Sequence, residues 1–187
     1  PAGRIRIPND SKSRAGGVLY SDYSLGRFFA EAARQPWFEN TIFLVTADHC
    51  ASSAGRTEIP LQKYHIPALI LAPGLIEPGV VDGIVSQIDL MPTLLSLLNM
   101  SYDSHFYGRS IFDPAYVNRA FIATYQDLGY LEGDTFTILS PVRRFEQYRV
   151  VPTEENPHHL EAMERKDAVQ VDRAIGYYQT SCKWNKR

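Results

Sequence analysis

The chain has 187 residues and a formal net charge of −2, with 44% hydrophobic, 21% charged and 12% aromatic residues. That length supports one domain with a real core, and the absence of a basic stripe excludes a nucleic-acid partner. No apolar run reaches the ~18–20 residues of a membrane span.

Residues 1–17 are rich in Gly, Pro, Ser, Asn and Arg and predict a surface loop or a strand end. Ser21 is the candidate N-cap of a helix. Leu25, Phe28, Phe29 and Ala32 share one face of it at helical spacing, and Gln35-Pro36 ends it. Residues 41–47 are β-branched and apolar on both faces, which predicts a central strand covered on both sides. Residues 50–64 predict a polar loop with Gly55 and Pro60, and "IPALILA", 66–72, a second buried strand. Pro73-Gly74 and Pro78-Gly79 break the chain after it.

"VSQIDLMPTLLSLLNM" predicts a helix capped by Asp89, with Pro92 in its first turn and Leu94, Leu95 and Leu98 as its buried stripe. Residues 120–125, 135–139 and 145–150 predict strands, the last two as an antiparallel pair. A last helix is expected to start at Asn156-Pro157 and to bury Ala168, Val171, Ile175 and Tyr178. His158-His159 are neighbours on that helix, cannot share a face, and are expected on the surface. The tyrosines Tyr102, Tyr107, Tyr125 and Tyr130 predict half-buried packing with a polar tip. The order helix, strand, strand, helix implies an α/β layer structure with a largely parallel central sheet flanked by helices and a late antiparallel pair.

The chemistry concentrates in "IFLVTADHCASSAG", 42–55, where an apolar run ends abruptly in Asp48 and His49. Ligands in open α/β sheets bind beyond the carboxyl ends of strands. Adjacent residues on a strand point to opposite faces, so both side chains reach one ion only if the backbone turns after Ala47. A carboxylate oxygen and an imidazole nitrogen at ~2.0–2.2 Å suit Zn²⁺, and Mn²⁺ also fits. The alternative is an Asp capping the loop beside a hydrogen-bonded His. Cys50 reads as a small buried residue or a further ligand, and with only Cys50 and Cys182 the chain fixes no redox compartment. Arg56, in the same loop, is either a solvated charge or a guanidinium facing an anionic headgroup.

The order of "GGVLYSDYSLGRFFAEAARQPWFENTIFLVTADH", "YHIPALILAPG" and "VSQIDLMPTLLSLL" resembles the alkaline phosphatase-like superfamily. It is most similar to the sulfatase-like branch that includes lipoteichoic acid synthases and membrane phosphoglycerol transferases. The resemblance covers residues 1–112; residues 113–187 carry no placed motif. It implies one domain over 1–187, the C-terminal portion of a catalytic domain. It implies one or two divalent ions, zinc or manganese, that activate a nucleophile toward phosphorus or sulfur. Asp48 and His49 match the family's late metal-ligand pair. His65 matches a histidine that lies by metal and substrate phosphate in related phosphoethanolamine transferases; it also reads as a loop histidine bonded to backbone.

No Ser or Thr here sits in a matching nucleophile context. The chain also begins at Pro1 rather than Met. It is therefore expected to be an inactive piece of a longer enzyme, whose nucleophile and missing N-terminal half lie upstream. The resemblance implies a parent anchored in a bacterial cell membrane, its catalytic domain on the periplasmic or extracellular side, taking phosphoglycerol or phosphoethanolamine from a phospholipid through a covalent phospho-enzyme. A soluble sulfatase or phosphodiesterase is the alternative enzyme, and a non-catalytic binding module on the same fold is the alternative outside enzymes.

Overall fold

A computed structural model describes residues 13–50 and 59–184. The chain divides into two compact units, Pro1–Leu44 with Leu69–Pro78, and Val45–Ala68 with Gly79–Arg187.

The first unit is built on helix α1, Arg14–Ala32. Its N-cap is Ser13, not Ser21: the Ser13 hydroxyl accepts from the Gly16 amide at 3.0 Å. The cap offsets the weak helix propensity of Gly16-Gly17 and lets the helix start a full two turns earlier than the apolar spacing implies. Phe43 anchors the unit, with the rings of Phe29 and Phe38 each 5.4 Å away and that of Phe28 at 5.9 Å. Upstream of these rings α1 is open: Val18, Leu19, Tyr20 and Leu25 are exposed.

Strands β1, Phe43–Thr46, and β2, Ala68–Leu71, form a two-stranded sheet. The full burial expected of both is not reached. β1 is half-buried along its length, and Leu69 of β2 is 53% exposed.

The second unit centres on a five-stranded antiparallel sheet in the order β3-β4-β5-β6-β7. The strands are Arg119–Ala123, Leu128–Glu132, Thr135–Ser140, Arg144–Val150 and Leu160–Ala162. The expected late pair is β5 and β6, in register Thr135↔Arg149 through Ser140↔Arg144; it sits inside a larger meander. One face of the sheet, with Ile122, Leu131 and Phe136, packs on Ile59 and Leu61. Part of the expected polar loop 50–64 is thus core.

The other face carries Phe121 and Tyr130 and meets helix α3, Ala168–Trp184, through Tyr177 and Tyr178. The half-buried Tyr178 hydroxyl donates to the Gly129 carbonyl at 2.8 Å, with the Ile122 carbonyl at 3.1 Å, and desolvation pushes its pKa up to about 12. Val171 and Ala174 are buried beside it.

The last helix starts at Ala168, not at Asn156-Pro157. The intervening chain forms β7, and Asp167 caps the helix by accepting from the Gln170 amide at 3.1 Å. Gln147, fully buried in β6, fixes that cap. Its Oε1 accepts from the Asp167 amide at 2.7 Å, and its Nε2 donates to Thr137 Oγ1 at 2.9 Å and to the Asp167 carbonyl at 3.1 Å.

The expected helix at 85–100 is a 3₁₀ turn, Gln87–Asp89, running into α2, Leu90–Leu97. Its buried residues are Pro92 and Thr93 rather than the leucine stripe; Leu94 and Leu95 are half-buried and Leu98 is exposed. The expected tyrosines split as well: Tyr130 is buried, Tyr125 is 93% exposed, and Tyr102 is exposed.

Candidate metal and substrate site

The end of β1 is tied from two sides. Thr46 Oγ1 donates to the Pro67 carbonyl at 3.1 Å. The Gln87 side-chain amide, from the 3₁₀ turn before α2, donates to the carbonyls of Ala47 at 3.0 Å and Asp48 at 3.1 Å. The chain bends at Asp48 and His49 just past the strand.

That bend brings the two side chains together. The His49 amide donates to Asp48 Oδ1 at 2.9 Å, and His49 Nε2 faces Asp48 Oδ2 at 3.5 Å. His49 Nδ1 lies 2.8 Å from the Cys50 carbonyl. A carbonyl only accepts, so the hydrogen-bond network assigns the proton to Nδ1. Nε2 then turns toward a carboxylate oxygen as a second acceptor unless it too is protonated. A carboxylate oxygen and a ring nitrogen facing each other offer a cation two donors. Orienting a ligand imidazole through its other nitrogen is the usual support of a metal-bound histidine. Both side chains are well exposed, Asp48 at 87% and His49 at 76%. The donor chemistry therefore suits a divalent ion, but two donors fall short of the ~four that zinc takes. Among the described residues no group of three or more His, Cys, Asp or Glu side chains is placed to hold a metal.

Cys50 is buried and not in a disulfide. It lies close enough to Tyr64 that burial first, and then the Cys50 thiol, raise the Tyr64 phenol pKa. Tyr64 ends the 3₁₀ turn Leu61–Tyr64, and His65 follows. His65 is exposed, and its ring meets that of His158 edge to face, 5.5 Å between centroids at 86°. His158 is thus no free surface histidine. It is half-buried, and burial, with His65 second, holds its pKa below the ordinary histidine value. Arg56 lies outside the described residues.

Asp89, expected to cap the helix, has a wider structural part. It is fully buried, and its side chain turns away from the first turn of α2. The guanidinium of Arg119, 3% exposed, binds both carboxylate oxygens, at 2.8 and 3.0 Å. The amides of Ser86 and Arg109 and the Tyr116 hydroxyl also donate to it. Burial and then the Asp89 carboxylate raise the Tyr116 pKa. Thr93 Oγ1 in turn donates to the Asp89 carbonyl and accepts from the Ile111 amide.

Gln87 and His158 are the site residues that sequence reasoning missed. Gln87 sits inside a motif block, two residues before Asp89, yet nothing in an amide side chain announces that it will hold a strand end 40 residues away. His158 carried only its residue type.

A carboxylate and an imidazole converging at a strand end are a donor pair of the kind that binds a divalent cation. Comparison with known proteins narrows that class. Residues 8–100 match the model of the Sulfatase family. Over 107 residues the chain is 30% identical to an arylsulfatase of Clostridium perfringens, covering 52% of this chain and 22% of that protein. The structure of a protein in the alkaline phosphatase superfamily from Vibrio parahaemolyticus superposes with a TM-score of 0.84 at 31% identity, over 97% of this chain and 46% of that one. The structure of Ps i-CgsB shares the fold, with a TM-score of 0.60 at 19% identity, over 95% of this chain and 44% of that one. Together these likenesses support the alkaline phosphatase superfamily for the chain. It spans less than half the length of these relatives.

Proposed function

We propose that the chain is the C-terminal portion of the catalytic domain of a metal-dependent, sulfatase-like enzyme. The observation that carries this is the convergence of Asp48 Oδ2 and His49 Nε2 at the end of β1, with Nδ1 committed to a backbone carbonyl. Asp48 and His49 supply two ligands to zinc or manganese; the parent protein supplies the remaining ligands and the nucleophile. When bound, the ion supplies charge neutralisation at the ester and activation of the nucleophile. We assign His65 to substrate binding on its resemblance alone, and Arg56 to the same substrate.

The reaction we assign is transfer of phosphoglycerol or phosphoethanolamine from a phospholipid through a covalent phospho-enzyme. The parent is then anchored in a bacterial cell membrane with this domain on the periplasmic or extracellular side. Among the described residues no helix is long and apolar enough to cross a membrane. The similarity to an arylsulfatase favours a second reading, hydrolysis of a sulfate or phosphate ester.

The test is calorimetry with Zn²⁺ and with Mn²⁺ on the full-length protein beside Asp48→Ala. Loss of one of ~four ligands is expected to weaken binding at least tenfold and to abolish turnover of a nitrophenyl phosphate or sulfate. Equal metal affinity in both proteins rejects the site. Turnover of the sulfate in preference to the phosphate selects the second reading.

A further inference from the structure

Between the 3₁₀ turn at Leu61–Tyr64 and the segment leading into β7 lies a cleft of about 250 Å³. Leu61 and Leu160 give it apolar walls, and Lys63, Gln62, Asn156 and His158 give it polar ones. No carboxylate lines it. Every polar group on its wall can donate a hydrogen bond, and one carries a fixed positive charge. Asn156 Oδ1 already accepts from the His158 amide at 2.9 Å, which leaves the Nδ2 donor as the uncommitted end of that side chain. The two walls come from segments more than 90 residues apart and are joined by the edge-to-face contact of His65 on His158.

We propose that this cleft is an oxyanion subsite that takes a phosphate or sulfate group through Lys63, His158 and Asn156. A wall with one fixed cation, several side-chain N–H donors and no carboxylate favours an anion over a cation, and a half-buried setting strengthens each contact relative to open water. A neutral His158, as its depressed pKa requires near neutrality, still has one N–H to give. The cleft also lies one short segment from the metal pair: Lys63 and His65 flank Tyr64, and Tyr64 senses the Cys50 thiol next to His49. A charged ester or acceptor could therefore place one anionic group in the cleft and another at Asp48 and His49. The subsite rests on the proposed function for the identity of its ester, whereas its anion binding needs neither metal nor nucleophile.

Calorimetric titration of the full-length protein with inorganic phosphate and, separately, with sulfate tests this. A chelating buffer keeps the metal pair empty. Saturable binding of at least one anion is expected; which one binds tells phosphate esters from sulfate esters. Lys63→Ala with His158→Ala is expected to lower the affinity about tenfold or more, the scale of one lost charge-assisted hydrogen bond. Lys63→Arg is expected to retain binding, which guards against a folding artefact, and Asp48→Ala is expected to leave it unchanged. The proposal fails if neither anion saturates, if the double variant binds as the parent does, or if Asp48→Ala abolishes binding. Failure of the proposed function would show instead in the metal titration of Asp48→Ala, with anion binding intact.

Discussion

His158 shows how far a single residue type can be read before its neighbours are known. On a helix next to His159 it would have been a solvated histidine. In the structure it follows Asn156-Pro157 in a turn, half-buried against His65. Burial and that second imidazole both disfavour its cation, so its folded pKa lies below the ordinary value of about 6.5. The unfolded chain then binds more protons than the folded one between the two values. The corresponding stability is complete above about pH 6.5 and is lost as pH falls through the unfolded and then the folded pKa. His158→Gln removes the titration. Urea midpoints measured between about pH 5 and pH 8 are expected to fall less steeply on the acid side for the variant than for the parent. Parallel curves would mean that neither burial nor His65 disfavours the His158 cation. Asp48 and His49 stand out in the sequence because charge at the end of an apolar strand is anomalous. His158 was not, because its partner comes from a segment over 90 residues earlier and leaves no local pattern.

Elements were legible where their own period decided them and obscure where a partner decided them. The face of α3 could be read in part from helical spacing: Val171 is buried and Ile175 and Tyr178 half-buried, but Ala168, at the first position of the helix, is exposed. Strand β4 could not, since "LGYLE" carries a glycine at its second position. That glycine is dictated from outside: a Cβ on Gly129 would meet the Phe136 ring at 2.8 and 2.9 Å. The start of α3 was hidden in the same way, because a glutamine of β6 sets it.

The junction of α2 with β3 follows the same rule, and Asp89 holds it. Its sequence context marks a helix cap, yet its carboxylate serves Arg119 of β3, and the chain closes over it so tightly that a Cβ on Gly108 would meet the Ile88 carbonyl oxygen at 1.9 Å. Asp89→Asn keeps the shape and removes the charge, leaving a guanidinium buried without a counter-ion. The expected loss is roughly 3–5 kcal/mol, measured by urea unfolding. Asp89→Leu with Arg119→Met is expected to recover part of it, since a buried pair replaced by apolar residues of similar size loses little. A loss under about 1 kcal/mol, the worth of a surface pair, would show that the pair is not sealed from water.

At the scale of the molecule, the apolar surface that sequence expects inside is in part outside. Met91 at 51% and Leu98 at 53% lie two turns apart on α2, with the half-buried Leu94 and Leu95 between them. The sequence pattern is that of a buried stripe, and nothing within the described residues buries it fully. Under the proposed function the rest of a larger catalytic domain is the cover; the chain spans 46% of the Vibrio structure it resembles. One substitution should then behave oppositely in two contexts. In the isolated chain, Leu98→Lys removes an exposed apolar side chain; it is expected to leave the unfolding midpoint within about 0.5 kcal/mol of the parent sequence and to reduce concentration-dependent association in light scattering. In the full-length protein the same change puts a charge into an apolar contact, and the expected cost is roughly 2–4 kcal/mol from lost burial and an unpaired cation. A neutral outcome in both contexts would mean that the stripe faces solvent in the parent as well, and the leucines of α2 would then need a different occupant.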